Sequence, residues 1–340
     1  LIERQASRIK GLETRSASLQ DSIDEVIYRP QSADVPAIDE YDESGSACGT
    51  LFGSVDYLYL TASGPDTTYT VDNVNSGGIA TVPNGSVYNV SSDSDSALRL
   101  ILGYRLGNGL EFVFRYTRFE QNSTDARTAL AGGNLETSRL QPDNTSRFAT
   151  GASANADVEL EIFDLEVGSW LDLSDAIAAR PFVGMRFGQV DRTLRTRYTV
   201  GGASRFAQDT AVLDVFGLRT GSDVRWQLFR QLSLEGGAAV SLLAGRNVSR
   251  HAETGALTPS DVRDDFNSFV PVLDAYVGLV YEHCNFSMAA GYEMSGWINS
   301  GSYLTFIDDI ADGQHVRDSH DLLLSGLYVR MGWNWGGSAN

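Results

Sequence analysis

From Cys48 onward, apolar and polar residues alternate with a period of two, over and over, in segments of about 9–16 residues. Such a period is that of a β-strand with one face in an apolar medium and the other in a polar one; a helix needs 3.6. In 97–106, Leu98, Leu100, Leu102, Tyr104 and Leu106 share a face against Arg99, Gly103 and Arg105, with Ile101 the exception. Gly107-Asn108-Gly109 is a tight turn, after which Phe112, Phe114 and Tyr116 alternate with Glu111, Val113, Arg115 and Thr117. The pattern recurs in 49–62, 158–173, 181–197, 211–227, 232–247, 268–282, 285–298 and 321–335, which makes ten strands. Thr67–Val71 and Ser86–Val90 have the composition of a further hairpin, which would raise the count to twelve. Short connections near 107–109, 174–180, 228–231 and 283–284 alternate with long ones near 63–95, 121–156, 198–210, 248–267 and 299–319. Short turns at one end and long loops at the other predict an all-β fold, a transmembrane antiparallel β-barrel of the outer-membrane kind.

Composition agrees by exclusion. Hydrophobic residues are 42% of the chain, and no run approaches the roughly 20 apolar residues of a membrane helix. A barrel passes that test unseen, because only half of each strand is apolar. The formal charge of −18 excludes nucleic acid as a partner, since phosphates would be repelled. A soluble sandwich also alternates, but five long polar loops are unusual in one. The aromatics Tyr57, Tyr59, Tyr104, Phe182, Trp226, Phe286, Trp333 and Trp335 sit towards strand ends, as the two interfacial girdles require.

The polar faces carry charge of both signs. Asp56, Glu111, Asp164, Glu166, Asp223, Glu235, Asp274, Glu282 and Glu293, with Arg99, Arg105, Arg115, Arg186, Arg219, Arg225 and Arg330, are expected to line the lumen. They would either form the walls of a wet channel or pair and plug it. Ten strands lie near the filled end of the size range, so a small or gated pore is the widest expectation.

Residues 1–27 follow another rule. Ile2, Gln5, Ile9, Leu12, Ser16, Leu19, Ile23 and Val26 recur three and four apart, the heptad spacing of a coiled coil, with Gln5 and Ser16 weakening the seam. The alternative is an amphipathic helix packed on its own domain. Residues 28–47, with Pro30, Pro36 and many acids, read as a flexible linker ahead of the barrel domain at 48–340. Ten strands put both barrel ends at the short-turn, periplasmic side, which places the helix in the periplasm. The first residues lack a signal-peptide pattern, as in a mature or trimmed chain.

Cys48 and Cys284 both map to the short-turn rim, about two strand spacings or roughly 10 Å apart. A disulfide would need help from the residues before Leu51, and two free thiols are the alternative. His251, His315 and His320 fall in or beside long loops near Asp264, Asp265, Asp308, Asp309 and Asp312. Solvated polar residues explain them better than catalysis does. No Gly-x-Ser-x-Gly, His-Glu-x-x-His or phosphate loop occurs, and His283-Cys284 lacks the further ligands of a zinc site, so no enzyme is expected. Asp261, Asp264 and Asp265, and Asp308, Asp309 and Asp312, could hold Ca²⁺, but neither set has EF-hand spacing. Loop solubility and divalent bridging to lipopolysaccharide account for them better, and no cofactor is expected.

The first strand, Leu51-Phe52-Gly53-Ser54-Val55-Asp56-Tyr57-Leu58-Tyr59-Leu60, and the last, Leu322 to Trp335 with its closing alternation of aromatics, resemble those of the pore-forming outer membrane proteins of the Legionella major outer membrane protein type. The resemblance spans 48–335. It implies a porin-like role and a homo-oligomer, and no residue-level function comes with it. The chain departs from the family in having two cysteines rather than several that cross-link chains, and in continuing past its last aromatic to Asn340. Three functions follow as expectations. The first is a porin for small hydrophilic solutes, trimerised or tethered to a cell-wall partner by its coil. The second is a plugged structural or adhesive anchor, and the third a rim-located hydrolase.

Overall fold

A computed structural model describes residues 49–64, 66–73, 85–140, 148–255, 259–306 and 315–335. The coiled coil expected over 1–27 and the linker over 28–47 lie outside the described residues, as does Cys48 and with it the Cys48–Cys284 pairing.

Ten long strands form one antiparallel sheet: β1 (Thr50–Ser63), β2 (Ser94–Arg105), β3 (Leu110–Thr128), β4 (Gly151–Ser169), β5 (Ile177–Val200), β6 (Ala203–Phe229), β7 (Leu232–Thr254), β8 (Ser260–His283), β9 (Phe286–Trp297) and β10 (Leu322–Trp335). β10 pairs with β1 from Trp335↔Leu51 to Leu323↔Ser63, so the sheet closes into a barrel and has no free edge. Closure turns the period of two into inside and outside. Along β4, even-numbered residues from Ala152 to Glu166 are buried while Glu159, Glu161, Phe163 and Leu165 face out.

The outer surface carries an apolar belt. Val183, Leu218, Leu242 and Leu273 are all more than half exposed, which is stable only against hydrocarbon. Aromatic contacts along one margin of the belt include Tyr116 with Phe163 and Phe187 with Phe216, at 4.9 and 5.1 Å between ring centres. Phe182, expected in a girdle, points inward and is 6% exposed, because it shares the parity of Arg180 and Arg186 rather than of Val183.

Two expected long loops are strand instead. β5 and β6, of 24 and 27 residues, run through 198–210 and are joined by Gly201-Gly202 alone. Much of 248–267 is likewise the end of β7 and the start of β8. The alternation there changes its chemistry rather than its period. Outward residues become polar (Asp191, Arg195, Asp214, Arg246, Asp265), while inward ones become mixed, small or apolar at Leu194, Ala207 and Ala211 and polar at Arg192, Asp209 and His251. At about 3.3 Å per residue, β6 is roughly 90 Å of chain, so even when tilted it stands well beyond a hydrocarbon layer of about 30 Å.

The long connections fold over this wall. Thr68–Asn73 and Val87–Asn89 do form a hairpin, but it joins Asn134–Thr137 and Phe148–Ala149 in a separate four-stranded sheet and leaves the barrel at ten strands. Ser302–Phe306 and His315–Ser319 form a second hairpin.

Candidate functional site

The barrel interior is tiered, and its first tier is charged. Asp56 is completely buried; its two oxygens accept from Arg330 Nε and Nη2 at 2.8 and 3.0 Å. Arg99 lies 3.5 Å from Asp56 and donates twice to Glu293, at 2.8 and 2.7 Å. Arg330 reaches Glu235 at 3.7 Å, and Arg225 links Glu235 and Glu282 at 3.1 and 3.0 Å. A second network surrounds Glu166, which lies within 3.5 Å of Arg115, Arg180 and Arg219. Arg180 also pairs with Glu111 and Asp223, and Arg186 with Asp164 and Asp274. Arg219 completes this network on Asp274, and Arg105 reaches Glu111 at the short-turn rim.

The Tyr276 hydroxyl lies 2.9 Å from Asp223 and 3.0 Å from Glu235 and so joins the two networks. The side chains of Arg105 and Glu282 are half-exposed at the short-turn rim; the other charges expected in the lumen are largely buried. Arg180 was missed because 174–180 read as a turn, although its parity with Arg186 places it inside once β5 is extended to Ile177. Partnered in this way, the charges are held in fixed positions, since removing one member strands its buried counterpart.

A polar vestibule of about 350 Å³ opens among Ser54, Glu111, Arg225, Glu282 and Arg330. A smaller cavity of about 80 Å³ lies between the arginines and the next tier. That tier is apolar: Leu58, Leu213, Leu243, Val270, Val272, Trp297 and Leu322 all point inward with no exposure.

Beyond it the wall is lined with Ala152, Ala154, Ala156, Ala207 and Ala211, whose small side chains leave room for Tyr69, Tyr198 and Tyr303. Ser300, Ser302, Tyr303 and Leu304, at the base of the second hairpin, are buried against this wall. Arg192 Nη2 donates to the Ser300 carbonyl and Ser249 Oγ to that of Ser302. Tyr303 lies between the guanidinium groups of Arg139 and Arg192, 5.6 and 5.9 Å from its ring centre. Arg139 is anchored on Asp66, so residues of the first, second and fifth long connections meet over the barrel mouth.

His251 is not a solvated loop residue. It lies on β7, 2% exposed, with Nδ1 2.6 Å from Asp209 and Nε2 2.8 Å from Glu253. Burial opposes its charge, but the hydrogen bonds to Asp209 and Glu253 prevail and push the imidazole up to about 9. Asp261, Asp264 and Asp265 also belong to strand β8. They are separately bound to Arg250, Arg317 and Arg246 and do not converge on a cation. Their carboxyls lie below the ordinary range chiefly through those arginine hydrogen bonds. Among the described residues, no group of three or more potential ligands could hold a metal. Asp308, Asp309 and Asp312 lie outside the described residues. His315 begins the outer strand of the second hairpin, and His320 follows it.

Several solved outer-membrane barrels are similar at low identity. The outer membrane protease OmpT from Escherichia coli is 10% identical, with 84% of this chain and 96% of that chain covered and a TM-score of 0.46. The translocator domain of autotransporter NalP from Neisseria meningitidis is 11% identical over 98% of each chain, at a TM-score of 0.32. A Pseudomonas aeruginosa FadL homologue is 9% identical over 85% of this chain and 90% of that one, at 0.23. No curated protein matches. A family model does match, over residues 53–335, from the first barrel strand to the end of the last. The chain belongs to the family described as the Legionella pneumophila major outer membrane protein precursor, and it is an outer-membrane β-barrel.

Proposed function

We propose that the protein is a porin-like barrel that passes small hydrophilic solutes through a lumen closed at rest. The observation that carries this reading is the charge-lined vestibule of about 350 Å³, beyond which stand the ion-pair networks and then the apolar tier of Leu213, Leu243 and Trp297. An immobile anchor has no need of a polar vestibule, whereas an apolar constriction is a recognised way to gate a wet one by dewetting. Opening would require the hairpin at Ser302–Phe306 to leave the mouth and the apolar tier to rearrange. The test is single-channel recording in planar bilayers. Wild-type protein is expected to show small, infrequent openings, and replacement of 302–319 by a short Gly-Ser linker is expected to lengthen them. Silence from both proteins would favour the plugged surface anchor.

The anchor reading has an observation of its own, the capped mouth: a buried Tyr303 closes the barrel beneath two loop structures. The hydrolase reading draws less support. A general base works best with a pKa near the operating pH. His251, held at about 9 with both ring nitrogens engaged by carboxylates, is a poor one. We therefore take the barrel as non-enzymatic. The heptads of 1–27 support a homo-oligomer assembled in the periplasm, with a trimer as the expected porin assembly, for which native mass in detergent, with and without 1–27, is the measurement.

A further inference from the structure

Arg192 on β5 points into the mouth and is 2% exposed. Nη2 donates to the Ser300 carbonyl at 2.8 Å, but Nε and Nη1 have no partner. The other buried arginines among the described residues, Arg139, Arg180, Arg186 and Arg219, each hold a carboxylate. Among the described residues Arg192 has none within ion-pair distance, and burial alone pulls its pKa down. A guanidinium stays charged at ordinary pH, so among the described residues this is a buried charge without a counter-charge. Water could satisfy Nε and Nη1 without cancelling the charge. The Tyr303 ring, 5.9 Å away, returns less than burial costs.

The flanking strands place only small or medium side chains beside Arg192, Val158 on one side and Ala211 on the other. Arg192 faces Ala211 across the β5–β6 ladder, and Ala211 faces Ser249, so no large side chain of the neighbouring strand fills that level. The incoming chain approaches through Gly301, with φ of 140°, and a Cβ there would collide with Arg192 Nη2. One residue further, the buried Ser302 hydroxyl also lacks a partner.

We propose that Arg192, with Ser302, binds a small oxyanion, phosphate or a carboxylate, beneath the second hairpin in the mouth of the barrel. The anion supplies the missing charge and accepts from Nε and Nη1, while Ser302 Oγ donates a further hydrogen bond. Binding is an equilibrium property of the folded barrel and does not require it to conduct.

The test is thermal unfolding of the detergent-solubilised full chain at constant ionic strength, with chloride replaced stepwise by inorganic phosphate or by acetate. The wild-type midpoint is expected to rise with one or both oxyanions. Arg192→Met is expected to abolish that rise, yet to unfold no earlier than wild type without oxyanion, because it removes an uncompensated charge. Ser302→Ala is expected to weaken the response severalfold and serves as the probe should Arg192→Met fail to assemble. A wild-type midpoint indifferent to both anions, or an equal response in the variants, would overturn the site. Channel silence in bilayers beside a phosphate response lost in Arg192→Met would refute the porin reading and leave the anion site standing.

Discussion

A single hydroxyl, that of Tyr276, holds the two lumen networks in contact by lying within hydrogen-bond distance of one carboxylate from each. Such a residue is invisible in an alternating pattern, where tyrosine fits either face. The charged side chains were legible individually, since parity places Asp56, Arg99 and Glu166 on the face opposite Val55, Leu98 and Leu165. Their partners were not, because Arg99 and Glu293 are 194 residues apart and meet only when the sheet closes. His251 shows the same limit: it reads as a polar residue beside a loop, and only the ladder with β6 sets it against Asp209. Its raised pKa gives stability a pH dependence of defined sign. The protonated form is favoured in the fold, so the contribution is complete below the unfolded pKa of about 6.5 and is lost as pH rises through about 9. The gap corresponds to on the order of 3 kcal/mol. The urea midpoint of the wild-type barrel should therefore fall between about pH 6.5 and 9, and the fall should be largely absent in His251→Asn; parallel curves would remove His251 from the account.

At the scale of the element, strand length was the least legible property. The alternation of apolar and polar residues reports an apolar environment on one side only. Where β5 and β6 leave the lipid, both faces become mixed and the signal fades, although the hydrogen-bonded ladder continues to Val200↔Ala203. The two residues that end it are diagnostic in retrospect. Gly201 and Gly202 have φ of 57° and 82°, as a two-residue turn between twisted strands demands, and nothing lies within 4 Å of a Cβ built on either. A side chain there pays only for its backbone conformation. Gly201→Val and Gly202→Val are each expected to cost roughly 1–2 kcal/mol, whereas Gly201→Asn should be close to neutral. Urea unfolding of the assembled barrel distinguishes the two. Equal midpoints for valine and asparagine would mean that the turn adopts another conformation.

For the whole molecule, the apolar belt determines the medium. On β7 it runs from Leu232 to Ala244, and the next outward residue is Arg246, paired with Asp265. Ala238 lies at its middle. Ala238→Arg is expected to cost about 2–4 kcal/mol, and Val248→Arg, on the same outer face beyond the belt, about 0–1. Folding equilibria into lipid vesicles measure both, and equal costs would put the lipid boundary elsewhere. The family match agrees with this placement, since it covers the barrel from Gly53 to Trp335.

The period of two in residues 48–335 predicted a closed antiparallel sheet of ten strands, or twelve with the loop hairpin, with most of its inward charges and its apolar exterior, because parity and turn length are local properties of a chain. The apolar tier, the ion-pair partners, the loop hairpin seated over the mouth and the lone guanidinium of Arg192 were decided by the tertiary structure. Leu58 and Leu60 show why: parity with Asp56 turns both inward, but which side chains they meet there follows only from closure of β1 on β10 and of the whole sheet. Which residues meet inside a barrel depends on the stagger and curvature of all ten strands together, and no segment of the chain carries that information alone.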